Sequence, residues 1–279
     1  MRYFCKKLDE LYPLKGGVLK CYIMDNPWDA DNEGRENWKR PAVIVVPGGG
    51  YHFISNRESE AVASKFFAAG FQCFVLEYLV KPQGAFYPEQ LFELSCAIDF
   101  VRKNAKDFCI NADEIFTIGF SAGGHLVADQ SCEYPTVSER MGEKLDCRPT
   151  AVALSYAVIN DQDGTFENLL FGYSNDEKMR LKEQLLIDKL VGKHTPPTFI
   201  WTTAEDTVVP PTNSLNYASA LSKANVPFEL HIYPKGQHGK STGDLEINYH
   251  DTVCPDWKCL DGWVDECTRF LRSYCKEEF

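Results

Sequence analysis

The chain has 279 residues, 44% of them hydrophobic and 25% charged, with a formal net charge of −11. That length and balance suit one globular domain spanning residues 1–279, and no Pro/Gly/Ser-rich linker divides it. An acidic surface repels phosphate backbones and anionic lipid, which sets aside nucleic acid and membrane surfaces as partners, and no apolar run approaches the ~20 residues a membrane-spanning helix needs.

The chain opens Met1-Arg2-Tyr3-Phe4-Cys5-Lys6-Lys7, with a lysine pair where a signal peptide carries its apolar stretch. The 11 cysteines are odd in number and scattered, several of them in apolar stretches (Cys73, Cys96). They read as reduced core residues of a cytoplasmic protein. Cys254 and Cys259 come nearest to a metal pair, but no second pair at zinc spacing completes them, so neither metal nor cofactor is expected.

Strands and helices alternate from there on. Val18 to Met24 reads as a strand, and Ala42 to Val46 is a β-branched run ending in Pro47-Gly48-Gly49-Gly50, a buried strand feeding a tight turn. Glu58 to Ala69 has helical spacing and stops at Gly70. Phe71 to Tyr78 is the next strand, and Pro88 to Lys106 a helix with Leu91, Leu94, Ile98 and Val101 on one stripe. Glu114 to Ile118 is a strand, Ser121 to Gln130 a helix, and Ala151 to Ser155 a strand. A more polar insertion from Asn160 to Thr195 carries one helix, about Glu177 to Leu190. Pro197 to Thr203 (strand), Pro211 to Ala224 (helix), Phe228 to Tyr233 (strand) and Asp261 to Tyr274 (helix) complete the chain. The alternation implies a mostly parallel sheet with helices on both faces and a short insertion before one late strand. Chemistry in such sheets sits at the carboxyl ends of the strands.

Gly119-Phe120-Ser121-Ala122-Gly123 lies at one such end and fits G-x-S-x-G. The turn is so sharp that the positions flanking the serine at two residues' distance must be small. Ser121 is pushed clear of the sheet at the amino end of a helix, where negative charge is favoured. A serine needs a base, and the base an orienting acid, in the order Ser, acid, His. Ala204-Glu205-Asp206 follows the strand ending at Thr203, and Gly236-Gln237-His238-Gly239 follows the one ending at Tyr233. Of the six histidines, His231 lies within a strand, His194 precedes a proline pair and His250 sits in a later loop, so His238 is best placed. Asp206 is favoured over Glu205 because it opens the turn. Donors for an oxyanion are expected from the Ala122 amide and from Gly49 and Gly50, whose lack of a side chain lets a carbonyl approach. A phosphate-cradling loop would need the P-loop Lys-Ser/Thr or G-x-G-x-x-G, and has neither. Tyr51 and His52 are candidate substrate contacts, His125 a packing residue near the elbow, and Arg57 and Glu58 a brace for the following helix. Phe166, Phe171 and Tyr173 either line an acyl or sugar pocket or seat the insertion on the domain.

Val45 to Tyr51, Arg57-Glu58-Ser59-Glu60, Gly119 to Leu126, Pro196 to Asp206 with Val209-Pro210, and Gly236 to Gly239 together resemble the α/β-hydrolase esterases of the acetyl-xylan-esterase/feruloyl-esterase-like group, some of them xylanase B-like or dienelactone-hydrolase-like. The resemblance spans roughly Ala42 to Gly239. It implies the α/β-hydrolase fold and cofactor-free hydrolysis of a small-molecule carboxylic ester, often acetyl on a sugar. Related esterases carry His where Pro47 stands, which leaves the glycine loop with one side-chain anchor fewer. A peptidase or amidase of the same fold, a non-catalytic binding protein of that fold, and a homo-oligomer remain open on the sequence. The polar insertion lacks the apolar length of a lid for long acyl chains, so short acyl groups are expected.

Overall fold

The computed structural model describes residues 1–27, 38–160, 164–245, 247–248, 260 and 262–276. Eight strands form one sheet in the order β1-β2-β4-β3-β5-β6-β7-β8. They are β1 (Arg2–Lys7), β2 (Val18–Ile23), β3 (Arg40–Val46), β4 (Gln72–Glu77), β5 (Ile110–Phe120), β6 (Val152–Ser155), β7 (Thr198–Thr203) and β8 (Phe228–Tyr233). β2 pairs antiparallel with both β1 and β4, while every pair from β4 to β8 is parallel. This is the α/β-hydrolase arrangement that the resemblance implies.

The helices are α1 (Glu60–Ala68), α2 (Glu89–Lys103), α3 (Ala122–Met141), α4 (Thr165–Leu169), α5 (Asn175–Gln184), α6 (Thr212–Ala224) and α7 (Trp263–Arg272). Because strand side chains alternate, the sheet feeds two cores. Ile44 and Val46 of β3 and Phe74 and Leu76 of β4 pack with α2, α3 and α6. Val43, Val45, Cys73 and Val75 pack with α1 and α7, around Phe66, Trp201 and Trp263. Val43 to Val46 are fully buried, each contributing about 1.5–3 kcal/mol by leaving water. A strand buried on both faces must be apolar at every position, which is why β3 is so plain in the sequence.

Several elements depart from the expected bounds. The helix expected from Glu58 to Ala69 is α1, which starts two residues later at Glu60; Glu58 itself ends a separate 3-10 turn, Asn56–Glu58, broken from α1 at Ser59. α3 runs eleven residues beyond Gln130, carrying Pro135 on its exposed side. In the insertion, α5 begins two residues before Glu177, capped by Ser174 and Glu177 in a reciprocal capping box, and ends at Gln184. β1 has no counterpart in the sequence reading: an edge strand with one face in water carries little apolar alternation. Asp261, the expected start of the last helix, lies outside the described residues. Among the described residues no helix is long and apolar enough to cross a membrane.

Candidate active site

Parallel strands bring their carboxyl ends to one edge, and five of them deliver residues there: the glycine loop after β3, Ser121 after β5, Tyr156 after β6, Asp206 after β7 and His238 after β8. Ser121 adopts φ 52° and ψ −118°, a conformation that costs a non-glycine residue roughly 1–3 kcal/mol. Its surroundings hold it there. The Ser121 amide donates to the Ser155 carbonyl (3.0 Å), and its own carbonyl accepts from the amides of His125 and Val158 (both 3.1 Å). The flanking glycines are a steric necessity: a Cβ on Gly119 would lie 2.3 Å from the Gly123 carbonyl oxygen. One on Gly123 would lie 2.2 Å from the Val46 carbonyl oxygen. The elbow is thus squeezed against β3 as well as against itself.

His238 Nε2 stands 2.8 Å from Ser121 Oγ, and His238 Nδ1 stands 2.7 Å from Asp206 Oδ2. A carboxylate can only accept, so Nδ1–H donates to Asp206 and Nε2 is left to accept from the serine hydroxyl. The Asp206 side chain is almost wholly buried, and its second oxygen accepts the amides of Val208 (3.0 Å) and Val209 (2.8 Å). Glu205, the competing carboxylate, is exposed and, among the described residues, receives only the Gly236 amide, at 3.4 Å. The geometry therefore puts Asp206, and not Glu205, on the imidazole.

The glycine loop lies directly against Ser121: a Cβ on Gly48 would come within 2.9 Å of Ser121 Cβ. Gly49 (φ +123°) admits no side chain, since a Cβ there would fall 1.9 Å from the Phe53 carbonyl oxygen. The loop is held by three side chains from elsewhere in the fold. Tyr78 O–H donates to the Pro47 carbonyl (2.8 Å), the Gly48 amide donates to Glu58 Oε2 (2.9 Å), and Asn168 Nδ2 donates to the Gly50 carbonyl (2.9 Å). Pro47 offers only its carbonyl to this set, so the anchoring side chains all come from other residues. Among the described residues nothing accepts from the amides of Gly49, Gly50 or Ala122. All three amides are therefore uncommitted among the described residues.

Tyr51 is a correction. The left-handed turn at Gly50 and Tyr51 (φ 59° and 56°) folds its ring into the core, where it is 1% exposed and its hydroxyl bonds to His125 Nδ1 (2.8 Å). It cannot touch a substrate as placed. His52 is exposed on the same turn. His125 is buried against Phe166, with ring centroids 4.9 Å apart, the packing role expected of it. Phe171 and Tyr173 both pack edge-on against Phe86 (5.6 and 5.3 Å), so these aromatics seat the insertion on the domain. Glu58, expected to brace a helix, instead reaches into the site, and Tyr156 and Asn168 were not anticipated at all. Each acts through a contact with a residue far away in the sequence, which no local pattern marks. Among the described residues no group of three or more metal-ligating side chains occurs, and Cys254, Cys259 and His250 lie outside them. The cysteines at positions 21, 73, 96, 132, 147 and 267 are buried and unpaired, and burial pushes the Cys21 thiol up to about 12.

Residues 31–221 match the BD-FAE family model. The chain is 34% identical over 217 residues to endo-1,4-beta-xylanase B of Butyrivibrio fibrisolvens, covering 75% of this chain and 34% of that protein. It is 30% identical to the acetylxylan esterase of Xylanibacter ruminicola, over 88% of this chain and 47% of that one. The chain thus spans between a third and a half of the length of these curated relatives. Among solved structures, the carboxylesterase Cest-2923 from Lactobacillus plantarum is similar over 100% of both chains, with TM-score 0.84 and 25% identity. The acetyl ester-xyloside bifunctional hydrolase from Caldicellulosiruptor lactoaceticus superposes with TM-score 0.75 and 34% identity, over 92% of this chain and 88% of that one. With the family model matching more than half of the sequence on an α/β-hydrolase sheet, this chain belongs to the BD-FAE family.

Proposed function

We propose that this chain is a serine carboxylesterase that removes short acyl groups, acetyl foremost, from sugars or oligosaccharides in a reducing compartment such as the cytoplasm. The observation that carries the reading is the file Asp206–His238–Ser121, linked at 2.7 and 2.8 Å beside three uncommitted amides. His238 takes the proton of Ser121 as Oγ attacks the ester carbonyl, and Asp206 steadies the imidazolium. The amides of Ala122, Gly49 and Gly50 receive the tetrahedral oxyanion. His238 then protonates the leaving alcohol, and water, activated by the same imidazole, releases the acid from the acyl-serine. No step in this scheme calls on a cofactor.

Two features support a short acyl group. Among the described residues, the insertion between β6 and β7 buries Phe166, Leu169, Leu170, Leu185 and Ile187 in the core, and α5 has no fully buried residue, which leaves little of its apolar surface for an acyl channel beside Ser121. Without such a channel, each further methylene gains little of the ~0.8 kcal/mol that burial could supply. The sugar assignment is supported by the names of the xylan-directed relatives. Rates on aryl esters of two to twelve carbons test the acyl limit: kcat/KM should peak at acetyl and fall steeply beyond butyryl, and a maximum at eight carbons or longer overturns it. Acetate release from acetylated xylo-oligosaccharides tests the sugar, and faster cleavage of peptide amides than of any ester would replace the esterase reading by an amidase.

A further inference from the structure

We propose that Glu58 is a positioning residue that locks the oxyanion loop to the histidine loop, so that the two halves of the site keep one geometry; this rests on the serine-esterase reading above. Glu58 sits on the turn Asn56–Glu58, ten residues after Gly48, and is 4% exposed. Its two oxygens are divided between the two halves. Oε2 accepts the Gly48 amide at 2.9 Å, and Oε1 accepts the Tyr156 hydroxyl at 2.6 Å. Tyr156, just past β6 and 2% exposed, packs its ring edge-on against His238 at 4.9 Å. The same hydroxyl oxygen accepts the amide of Ser241, three residues after the histidine, at 3.0 Å. Ser241 Oγ returns to the Arg57 carbonyl at 2.5 Å. The 56–58 turn therefore grips the glycine loop on one side and the histidine loop on the other.

The chemistry of the group fits the task. Both contacts reach Glu58 as donors, and a carboxylate offers an acceptor on each oxygen, whereas an amide of the same shape must turn an N–H₂ toward one of them. A buried carboxyl is costly unless its oxygens are satisfied, and among the described residues no lysine or arginine closes a salt bridge with this one. What satisfies it is the machinery itself. Oxyanion donors act only on charge that develops in the transition state, so a loop shifted by a fraction of an ångström should cost kcat and leave ground-state binding alone.

Glu58→Gln and Tyr156→Phe, assayed on an aryl acetate, test the proposal, with active sites counted by titration with a fluorophosphonate. Turnover per titrated site should fall on the order of 10- to 100-fold in Glu58→Gln, with KM within about two-fold of wild type. Tyr156→Phe, which spares the Gly48 bond and the ring packing, should fall several-fold in the same sense. A residue that merely supported the fold would lower the titratable fraction or Tm without changing turnover per site. Wild-type turnover per site in Glu58→Gln, or a loss confined to KM, overturns the proposal. Should Glu58→Gln fail to fold, wild-type turnover per site in Tyr156→Phe overturns it instead. A wild-type protein that neither cleaves aryl acetate nor labels at Ser121 removes the esterase reading, and the Glu58 assignment with it; loss in the variants alone leaves both standing.

Discussion

Asp206 divides its carboxylate between His238 and the backbone: Oδ2 meets the imidazole Nδ1 at 2.7 Å while Oδ1 is held by the amides of Val208 and Val209. The amides fix the carboxylate plane, and the plane fixes the ring, so the imidazole meets Ser121 already oriented. Asp206→Asn should lower kcat about 10³- to 10⁴-fold, because the amide can turn an N–H toward Nδ1 and stabilise the wrong tautomer. Glu205→Gln, altering an exposed group 3.4 Å from one amide, should change it no more than a few-fold. Steady-state kinetics on an aryl acetate decide between the two carboxylates, and a larger loss in Glu205→Gln would reverse the assignment.

Removing the Ser121 hydroxyl gives the sharpest outcome. Ser121→Ala should reduce esterase turnover by about 10⁴-fold or more and abolish labelling by a fluorophosphonate. The elbow's backbone bonds to Ser155, His125 and Val158 do not involve the hydroxyl and should persist, leaving the circular dichroism spectrum unchanged. Labelling of another serine in the variant would mean that the site lies elsewhere.

The glycine loop separates steric necessity from conformational preference. Gly49→Ala forces a Cβ to within 1.9 Å of the Phe53 carbonyl, at φ +123°, and should destabilise the fold by more than about 3 kcal/mol along with loss of activity. At Gly50 the added Cβ meets nothing within 4 Å, so Gly50→Ala should cost only the left-handed strain, about 1 kcal/mol. Urea unfolding of the two variants measures the difference, and equal costs would mean that the loop relaxes around Gly49.

Stability should fall as pH rises from about 4 to about 8. Asp129, wholly buried in α3 with Oδ1 unpartnered among the described residues, is pushed up to about 8 by desolvation, aided by the Glu133 charge. Glu93, buried in α2, is raised to about 8 for the same principal reason. Between the unfolded carboxyl range and pH 8 the folded state binds more protons than the unfolded one, so stability drops across that window and levels off above it. Asp129→Asn removes the charge without changing shape, and should raise Tm at pH 8 by a few °C relative to wild type, with little gain at pH 5. Calorimetry at the two pH values checks this; a larger gain at pH 5 would contradict the buried acid.

Features that arise between residues close along the chain could be read from it directly. The elbow of Gly119, Ser121 and Gly123 was legible because a turn of five residues collides with itself unless its flanks are small. β3 was legible because burial on both faces leaves no polar position. The order Ser121, Asp206, His238 followed from each residue standing just past a strand. The start of α5 was also within reach, since Ser174 and Glu177 form a local capping box. The remaining features depend on contacts between distant parts of the chain. Glu205 and Asp206 are neighbours, and only the placement of β7 beside β8 turns one to the imidazole and the other to solvent. Tyr51 stands next to the glycine loop in sequence yet lies in the core, claimed by His125 74 residues away. Glu58 meets Tyr156 across 98 residues, and Asn168 meets Gly50 across 118. Such bonds exist only once the strand order has brought distant carboxyl ends to one edge, and a hydrogen bond of a few ångströms leaves no periodic trace in the chain that makes it.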